Sequence, residues 1–568
     1  METFRIFCVN DGTPYKMQAG TPLSDIAPGT VRDPKTGRLY PVLAAVVDNK
    51  LKELSLCVYR PHRVEFIGYN HPDGRRTYIR SLCFVLQKAV RSLFPDKTLV
   101  VDHSLPSGLY CEILEREPDE DGHHVAYPGS PEELRHLRER MQEIVDEDLP
   151  FGRKHFPVEE AEKIFLENGQ PSKADLFKSL GKFYCSVYSL DGTQDSFHGP
   201  LVPSTGFLKV FNLIPYGAGF CLQYPSNADP SRVIPFRPQE KLAAQLKDYS
   251  NWCETTGIIG VGTLNRHILS GGAVSLINLS EARQERQYAA IADRIYSCRD
   301  RVKIVFLAGP SSSGKTSSSL RLAQQCRVVG LNPKVIELDN YFVDREQTPR
   351  DEDGNFDYEC LEAMDLALLG ENLNGLLEGK TVELPRYDFK AGRKVFEGRT
   401  MTLGEKDILI MEGIHALDPA MVPDVDPSKI FRVYASALTS LNLDENNNIS
   451  TSDNRMLRRM VRDYNYRGHT PENTIMGWQN VRRGEEKYIF PFQENADVLM
   501  NTALMYELPL LKYYAEPLLR RIPPTSPAYT EAVRLLKFLE YIVALTPADI
   551  AAIPPTSIMR EFIGGQTL

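Results

Sequence analysis

Gly309-Pro310-Ser311-Ser312-Ser313-Gly314-Lys315-Thr316 has two glycines five positions apart, followed by Lys and Thr, a spacing suited to gripping a polyphosphate. The glycines let the backbone curl until its N–H groups point inward, and a following helix turns its positive dipole end to the phosphate. Lys315 then reaches the β- and γ-phosphates, Thr316 meets a magnesium ion, and Ser317 closes the set. A Gly/Ser turn of no function could fit by chance. The apolar run 303–308 before the loop and the helical stretch to Cys326 after it favour the phosphate loop, with ATP and Mg2+ as cofactors.

Two acids stand at the ends of further apolar runs, Asp339 after 335–338 and Glu412 after 408–411. In open parallel sheets ligands sit beyond the carboxyl ends of the strands, so both face the same reaction space. Phosphoryl transfer to a hydroxyl needs a group to accept its proton, and Asp339 is the expected base. Glu412 is expected to hold magnesium through a water or to orient Asp339; the bland reading of each is a strand-end cap. Arg455, Arg458, Arg459 and Arg462 recur at helical spacing, with Arg467 beyond them, and would share one face. That stripe reads either as a solvated basic face or as a lid, with Arg459, Arg462 and Arg467 neutralising charge on the phosphoryl group.

The elements that must position these groups follow from the pattern of the whole chain. Its 568 residues exceed a single core and suggest about three or four domains. With 42% hydrophobic and 25% charged residues the composition is that of an ordinary globular protein, and no apolar run is long enough for a bilayer, so no membrane partner is expected. Asp11 arrives before a signal region could form, so a cytoplasmic location is expected. Ten cysteines without a Cys-x-x-Cys pair read as buried thiols, and a net charge of -9 gives no support to generic nucleic-acid binding. Short alternating runs over 1–66 predict a small β-rich module. Residues 67–240 read as an α+β unit: an amphipathic helix at 78–94, helices at 131–148 and 157–168, and strands at 183–189 and 207–214. Linker helices fill 241–299, including one at 284–298. Apolar runs at 303–308, 334–338, 408–411, 430–434 and 498–500 alternate with helices, so 300–568 is expected to be a doubly wound, parallel α/β domain.

Over roughly 302–505 the order of motifs resembles the uridine kinase and phosphoribulokinase family. Leu338-Asp339-Asn340-Tyr341-Phe342 looks like its base-bearing segment, Asn355-Phe356-Asp357-Tyr358 its ribose-binding segment, Pro385-Arg386-Tyr387-Asp388-Phe389 its acceptor-packing segment, and Met411-Glu412-Gly413-Ile414 its Glu-Gly strand end. The resemblance implies that Tyr341, Asp357, Tyr387 and Arg393 join Asp339 at the acceptor site. The arginine stripe has the family's lid spacing, with His469 where another arginine is expected. Three residues after Tyr-Asp-Phe, where uridine kinases carry a base-reading His, this chain has Gly392.

The first module resembles a TGS domain, a β-grasp unit, and residues 70–215 resemble the second additional (editing) domain of threonyl-tRNA synthetase. Residues 80–86 fall on that family's Arg-His-x-x-x-His helix and 195–206 on its Asp-x-Cys-x-Gly-Pro-His segment. The four positions carrying the editing chemistry hold Ser81, Val85, Phe197 and Leu201, so a retained fold without hydrolysis is expected. His198 reads as a turn residue and His123-His124 as solvent-exposed in an acidic loop.

The expected activity is transfer of the γ-phosphoryl of ATP to a small-molecule hydroxyl, a nucleoside first and a sugar phosphate of the phosphoribulose type second. An ATP-driven RNA- or ribosome-binding regulator is the rival, and RNA at the front modules and a homo-oligomer are left open. A GTPase switch is disfavoured: Asn-Lys-x-Asp is absent, and Asp351-Glu352-Asp353-Gly354 does not follow a strand.

Overall fold

The computed structural model describes residues 3–116, 125–127, 129–351, 354, 356–439 and 441–568. His123, His124, Glu352, Asp353 and Asn355 lie outside them. Five strands of the rear half form an all-parallel sheet: β1 (Ile304–Ala308), β2 (Asn332–Glu337), β3 (Asp407–Glu412), β4 (Ile430–Ser436) and β5 (Val498–Asn501), in the spatial order β2-β3-β1-β4-β5. Its central strand shows why a continuous apolar run is required. Ile304, Phe306 and Ala308 enter one hydrophobic core while Val305 and Leu307 enter another on the opposite face, so neither parity can be polar.

Helix α1 (Lys315–Val328) follows β1, α2 (Thr451–Tyr466) and α3 (Pro471–Tyr488) lie between β4 and β5, and α4 (Glu507–Leu519), α5 (Tyr529–Leu539) and α6 (Arg560–Ile563) close the chain. Three helices ahead of the sheet, Glu240–Thr256, Val261–Leu269 and Ala273–Ser297, share a core with α2 to α6. The periodicity marked only the second half of the last, because its first turns lie among other helices rather than against a sheet.

At the front, a five-stranded mixed sheet has the order Thr13–Gln18, Thr3–Cys8, Arg63–Ile67, Ala44–Val47, Lys50–Lys52, with its first and last long strands parallel. The helix after it runs Pro72–Leu93, a turn and a half earlier than the apolar pattern marks, because His71 caps it through a bond from the Asp73 amide. Gly74 in its first turn is obligatory: a Cβ there would lie 1.9 Å from the Gly68 carbonyl oxygen. A four-stranded antiparallel sheet and a three-stranded one complete this half. The strand expected at 207–214 is confined to Asn212–Tyr216. Thr205 bonds the Ile144 carbonyl at 2.6 Å and winds residues 205–207 into a 3-10 turn, so pairing cannot begin earlier. Eight of the ten thiols are buried; Cys57 is exposed and Cys298 partly so, contrary to the uniform expectation. Among the described residues no helix is long and apolar enough to cross a membrane.

Candidate functional site

Residues 309–314 leave β1 and curl onto the start of α1. A Cβ on Gly309 would come 2.0 Å from the Ala435 carbonyl oxygen, so the loop can lie against β4 only with glycine there. Gly314 has φ +85° and Ser312 φ +58°, the left-handed turns that fold the amides inward. Lys315 donates to the Pro310 carbonyl at 3.3 Å, closing its own loop. The hydroxyls of Ser312 and Ser313 are buried without hydrogen-bond partners.

Strand register sets the acids beside this loop. Glu412 on β3 pairs with Leu307 on β1 and with Glu337 on β2, and Asp339 follows two residues past that last pair. Glu412 is 8% exposed and accepts a 2.8 Å hydrogen bond from the Thr316 hydroxyl. Burial pushes its carboxyl up to about 7 against the pull of the Lys315 ammonium, and Asp339 adds to the rise. The Asp339 side chain opens to the cleft and its carboxylate has no hydrogen bond or ion pair among the described residues; crowding by the cleft walls raises its pKa, Lys315 opposes this, Glu337 adds to it and Arg467 opposes it. Glu359 joins the same electrostatic group. Its carboxyl is raised to about 7 by burial and by Glu485, with Arg459 and Lys315 opposing. Nothing in its sequence context singled Glu359 out.

The arginine stripe divides. Arg455 and Arg458 are fully buried, so the expectation of one shared cationic face is corrected. Arg455 forks onto Glu485, with one contact of 2.7 Å, and Arg458 onto Glu507, also with one of 2.7 Å. Both also hold the phosphate loop by its backbone, Arg455 at the Ser311 carbonyl (3.1 Å) and Arg458 at that of Ser312 (3.4 Å). The repulsion between neighbouring arginines is cancelled by carboxylates from α3 and α4, which lie too far along the chain to be read from spacing. Arg459 bonds the Ser311 hydroxyl at 2.8 Å. Arg459, Arg462 and Arg467 converge on Asp463 at 3.2, 3.0 and 3.6 Å. Asp463 was missed, although its place at i+4 from Arg459 and i−4 from Arg467 is a legible signal.

The expected acceptor residues are not all brought together. Tyr387 is buried with its hydroxyl unpartnered, its ring edge-on to Phe342 at 5.8 Å, and its amide bonds Asn340 at 3.2 Å, beside Asp339. Asp357 is half-buried and caps the Glu359 amide at 3.0 Å. Arg393 is exposed on a hairpin, opposite Asp388. Tyr341 is 1% exposed and its hydroxyl accepts from Asn372, so it faces the core and not the cleft. Gly392 has φ +68°, and a Cβ there would meet the Arg345 guanidinium at 2.7 Å, so a larger residue would strain the backbone and displace the Arg345 side chain.

The chain's last helix also reaches the loop. Glu561 of α6 accepts from the Ser317 hydroxyl at 2.5 Å and from its amide at 3.4 Å, and Gln566 donates to the same hydroxyl at 2.8 Å. Ile558 packs over Gly314.

In the front half, Ser81, Val85, Phe197 and Leu201 are all buried, with Phe197 packed on Phe84 at 5.2 Å. The Ser81 hydroxyl is already committed to the Thr77 carbonyl and the Val202 amide. His198 is more than a turn residue: its Nδ1 is buried without a partner, and burial, then Arg80 and Arg534, push its pKa to about 3.

A five-stranded parallel sheet with a phosphate loop after its central strand, flanked by strand-end acids, defines the class as a P-loop kinase-type domain. The profile of the Phosphoribulokinase / Uridine kinase family matches residues 304–506. A uridine kinase of Macrococcus caseolyticus is 32% identical over 198 residues, covering 35% of this chain and 86% of that protein. The chain belongs to the phosphoribulokinase/uridine kinase family. A threonine–tRNA ligase of Desulforamulus reducens is 28% identical over 207 residues, 36% of this chain and 30% of the ligase, and the N-terminal region carries this likeness. The chain thus spans under a third of that ligase's length. A solved structure described as a possible uridine kinase from Bacillus stearothermophilus is 21% identical, covering 37% of this chain and all of that one, with a TM-score of 0.24.

Proposed function

We propose that the rear domain transfers the γ-phosphoryl of ATP to a hydroxyl of a nucleoside, with Asp339 as the base. The observation that carries this reading is the Asp339 carboxylate itself: without a partner among the described residues, beside the phosphate loop, and raised from its ordinary range by loss of water. The loop amides, Lys315 and Ser317 hold the triphosphate. Asp339 takes the acceptor's hydroxyl proton, the oxygen attacks the γ-phosphorus, the bond to the bridging oxygen breaks, and ADP leaves. Arg459, Arg462 and Arg467 balance charge on the phosphoryl oxygens.

Thr316 and Glu412 are hard oxygen donors 2.8 Å apart. Among the described residues no three acids, histidines or cysteines form a cage of their own. This pair fits magnesium, which takes only one or two protein ligands beside phosphates and water, and which supplies charge neutralisation at the phosphates when bound. Asp357 and Tyr387 support the nucleoside's sugar. A sugar phosphate is the second reading, favoured by Gly392, which leaves no base-reading side chain, and by the exposed Arg393 cation.

The test is ADP release across a panel of nucleosides and sugar phosphates. Asp339→Asn is expected to lower turnover on the identified acceptor about 10²–10⁴-fold with ATP binding retained. Undiminished turnover removes Asp339 as base, and turnover on sugar phosphates alone selects the second reading.

A further inference from the structure

A cavity of about 320 Å³ lies where three parts of the chain meet: the strand Lys50–Lys52 with Glu53, the face carrying Arg153, Tyr184 and His198, and α5 with Tyr541. It shares one wall with the former editing position, since residues 196–200 line it. Of the four editing positions, Ser81, Val85 and Leu201 are packed away in the core and only Phe197 reaches the cavity wall. Two of the walls, from the first module and from α5, come from outside the region that resembles the editing domain.

The charge in this cavity is unbalanced. Lys52 and Lys537 line it, and among the described residues no carboxylate lies within ion-pair distance of either. Arg80 stands behind the Pro200 wall, donates to the Pro200 carbonyl at 2.7 Å, and has no carboxylate partner among the described residues; burial lowers it to about 10. The two carboxylates present are already engaged: Glu53 by Arg153 (3.4 Å) and the Tyr188 hydroxyl, Glu540 by Lys182 (2.9 Å). Of the four cations lining the cavity, Arg153 and Lys182 offset the two acids, and Lys52 and Lys537 remain in excess. The Lys537 ammonium is depressed by loss of water, and Lys52, Arg153 and Arg80 depress it further while Glu540 opposes them. Such a group of like charges is relieved by an anion.

Aromatic surface lies beside the charge. Tyr184 is 66% exposed with no ring partner among the described residues, and Tyr541 and Phe197 form further walls. The neutral His198 ring lines the same wall, with its unpartnered Nδ1 buried. Cations for a phosphate and an open ring face for a base are the parts of a nucleotide site. The volume is at the low end for small-molecule sites and suits one nucleotide unit rather than a polymer.

We propose that this cavity is a second nucleotide site, separate from the phosphate loop, that takes a nucleoside monophosphate with its phosphate on Lys52 and Lys537 and its base on Tyr184. Occupancy joins the first module, the second unit and the kinase domain's α5 through one ligand.

The experiment titrates fluorescent N-methylanthraniloyl-AMP into the full chain carrying Lys315→Ala and Asp339→Asn, with and without Lys52→Glu plus Lys537→Glu. Charge reversal is expected to weaken binding at least about tenfold, and Tyr184→Ala to weaken it about fivefold or more. Neither lysine side chain makes a hydrogen bond among the described residues, so unchanged thermal melting of the variants serves as the folding control. AMP is expected to compete where adenosine does not. Binding insensitive to both variants, or adenosine competing as well as AMP, overturns the site. Inorganic phosphate competing as strongly as AMP makes it a bare anion pocket and overturns the nucleotide.

Discussion

Glu412 illustrates how one buried carboxyl can carry a condition for activity. Its pKa of about 7 arises from burial, opposed by Lys315, so near neutral pH it is partly protonated and hydrogen-bonded to Thr316. A hard cation needs the deprotonated form. Apparent Mg2+ affinity at fixed ATP should therefore rise about tenfold per pH unit below 7 and level off above it. Glu412→Gln should weaken Mg2+ and flatten that profile; an unchanged slope in the variant assigns the proton to another group. Asp339 differs from its neighbour in that no partner among the described residues holds its carboxylate, which suits a group receiving a proton from a substrate.

Helices α2 and α6 bring opposite charges to one loop. Arg455, Arg458 and Arg459 of α2 grip its carbonyl and hydroxyl oxygens, while the Glu561 carboxylate of α6 sits on Ser317, the third residue of α1. The first amides of a helix are without internal partners and favour anions, so Glu561 holds a place that suits a phosphate. Glu561→Gln should tighten ATP several-fold in equilibrium binding, since a competing charge is removed while a hydrogen-bonding side chain remains. Unchanged or weaker ATP binding shows that the contact serves only to anchor the C-terminal helices.

Across the whole molecule, the loop between β4 and α2 enters the front half. Its Asp444 meets Lys173 at 3.3 Å, Lys173 also pairs with Asp195, and Asn446 bonds Asp195 at 2.9 Å, all fully buried or nearly so. Burial alone would lower the Lys173 ammonium, and Asp195 and Asp444 more than reverse it. Removing one member leaves charge stranded without water. Lys173→Met should cost about 3–5 kcal/mol in chemical unfolding, and Lys173→Met with Asp195→Asn should recover part of it. A loss below about 1 kcal/mol shows that water or a shifted side chain replaces the amine. Because this loop runs directly into α2, the variant also tests whether the arginine helix depends on the front half for its position.

By itself the sequence determined the features whose information is local. The apolar runs located all five strands of the parallel sheet, because a strand buried on both faces tolerates no polar parity. The glycine spacing located the phosphate loop, because only Gly309 can lie against the Ala435 carbonyl. Asp339 and Glu412 were legible because strand ends in a parallel sheet share one side. What tertiary structure decided depends on partners distant in the chain. Arg455 and Arg458 became buried ion pairs through Glu485 and Glu507, Tyr341 turned inward to Asn372, and Glu561 came to Ser317 from the far end of the chain. The cavity between the modules has walls separated by nearly five hundred residues, and its excess charge exists only once folding has brought Lys52 to Lys537. Periodicity reports which side of an element is apolar, but the identity of the group that meets a buried charge is fixed by packing alone.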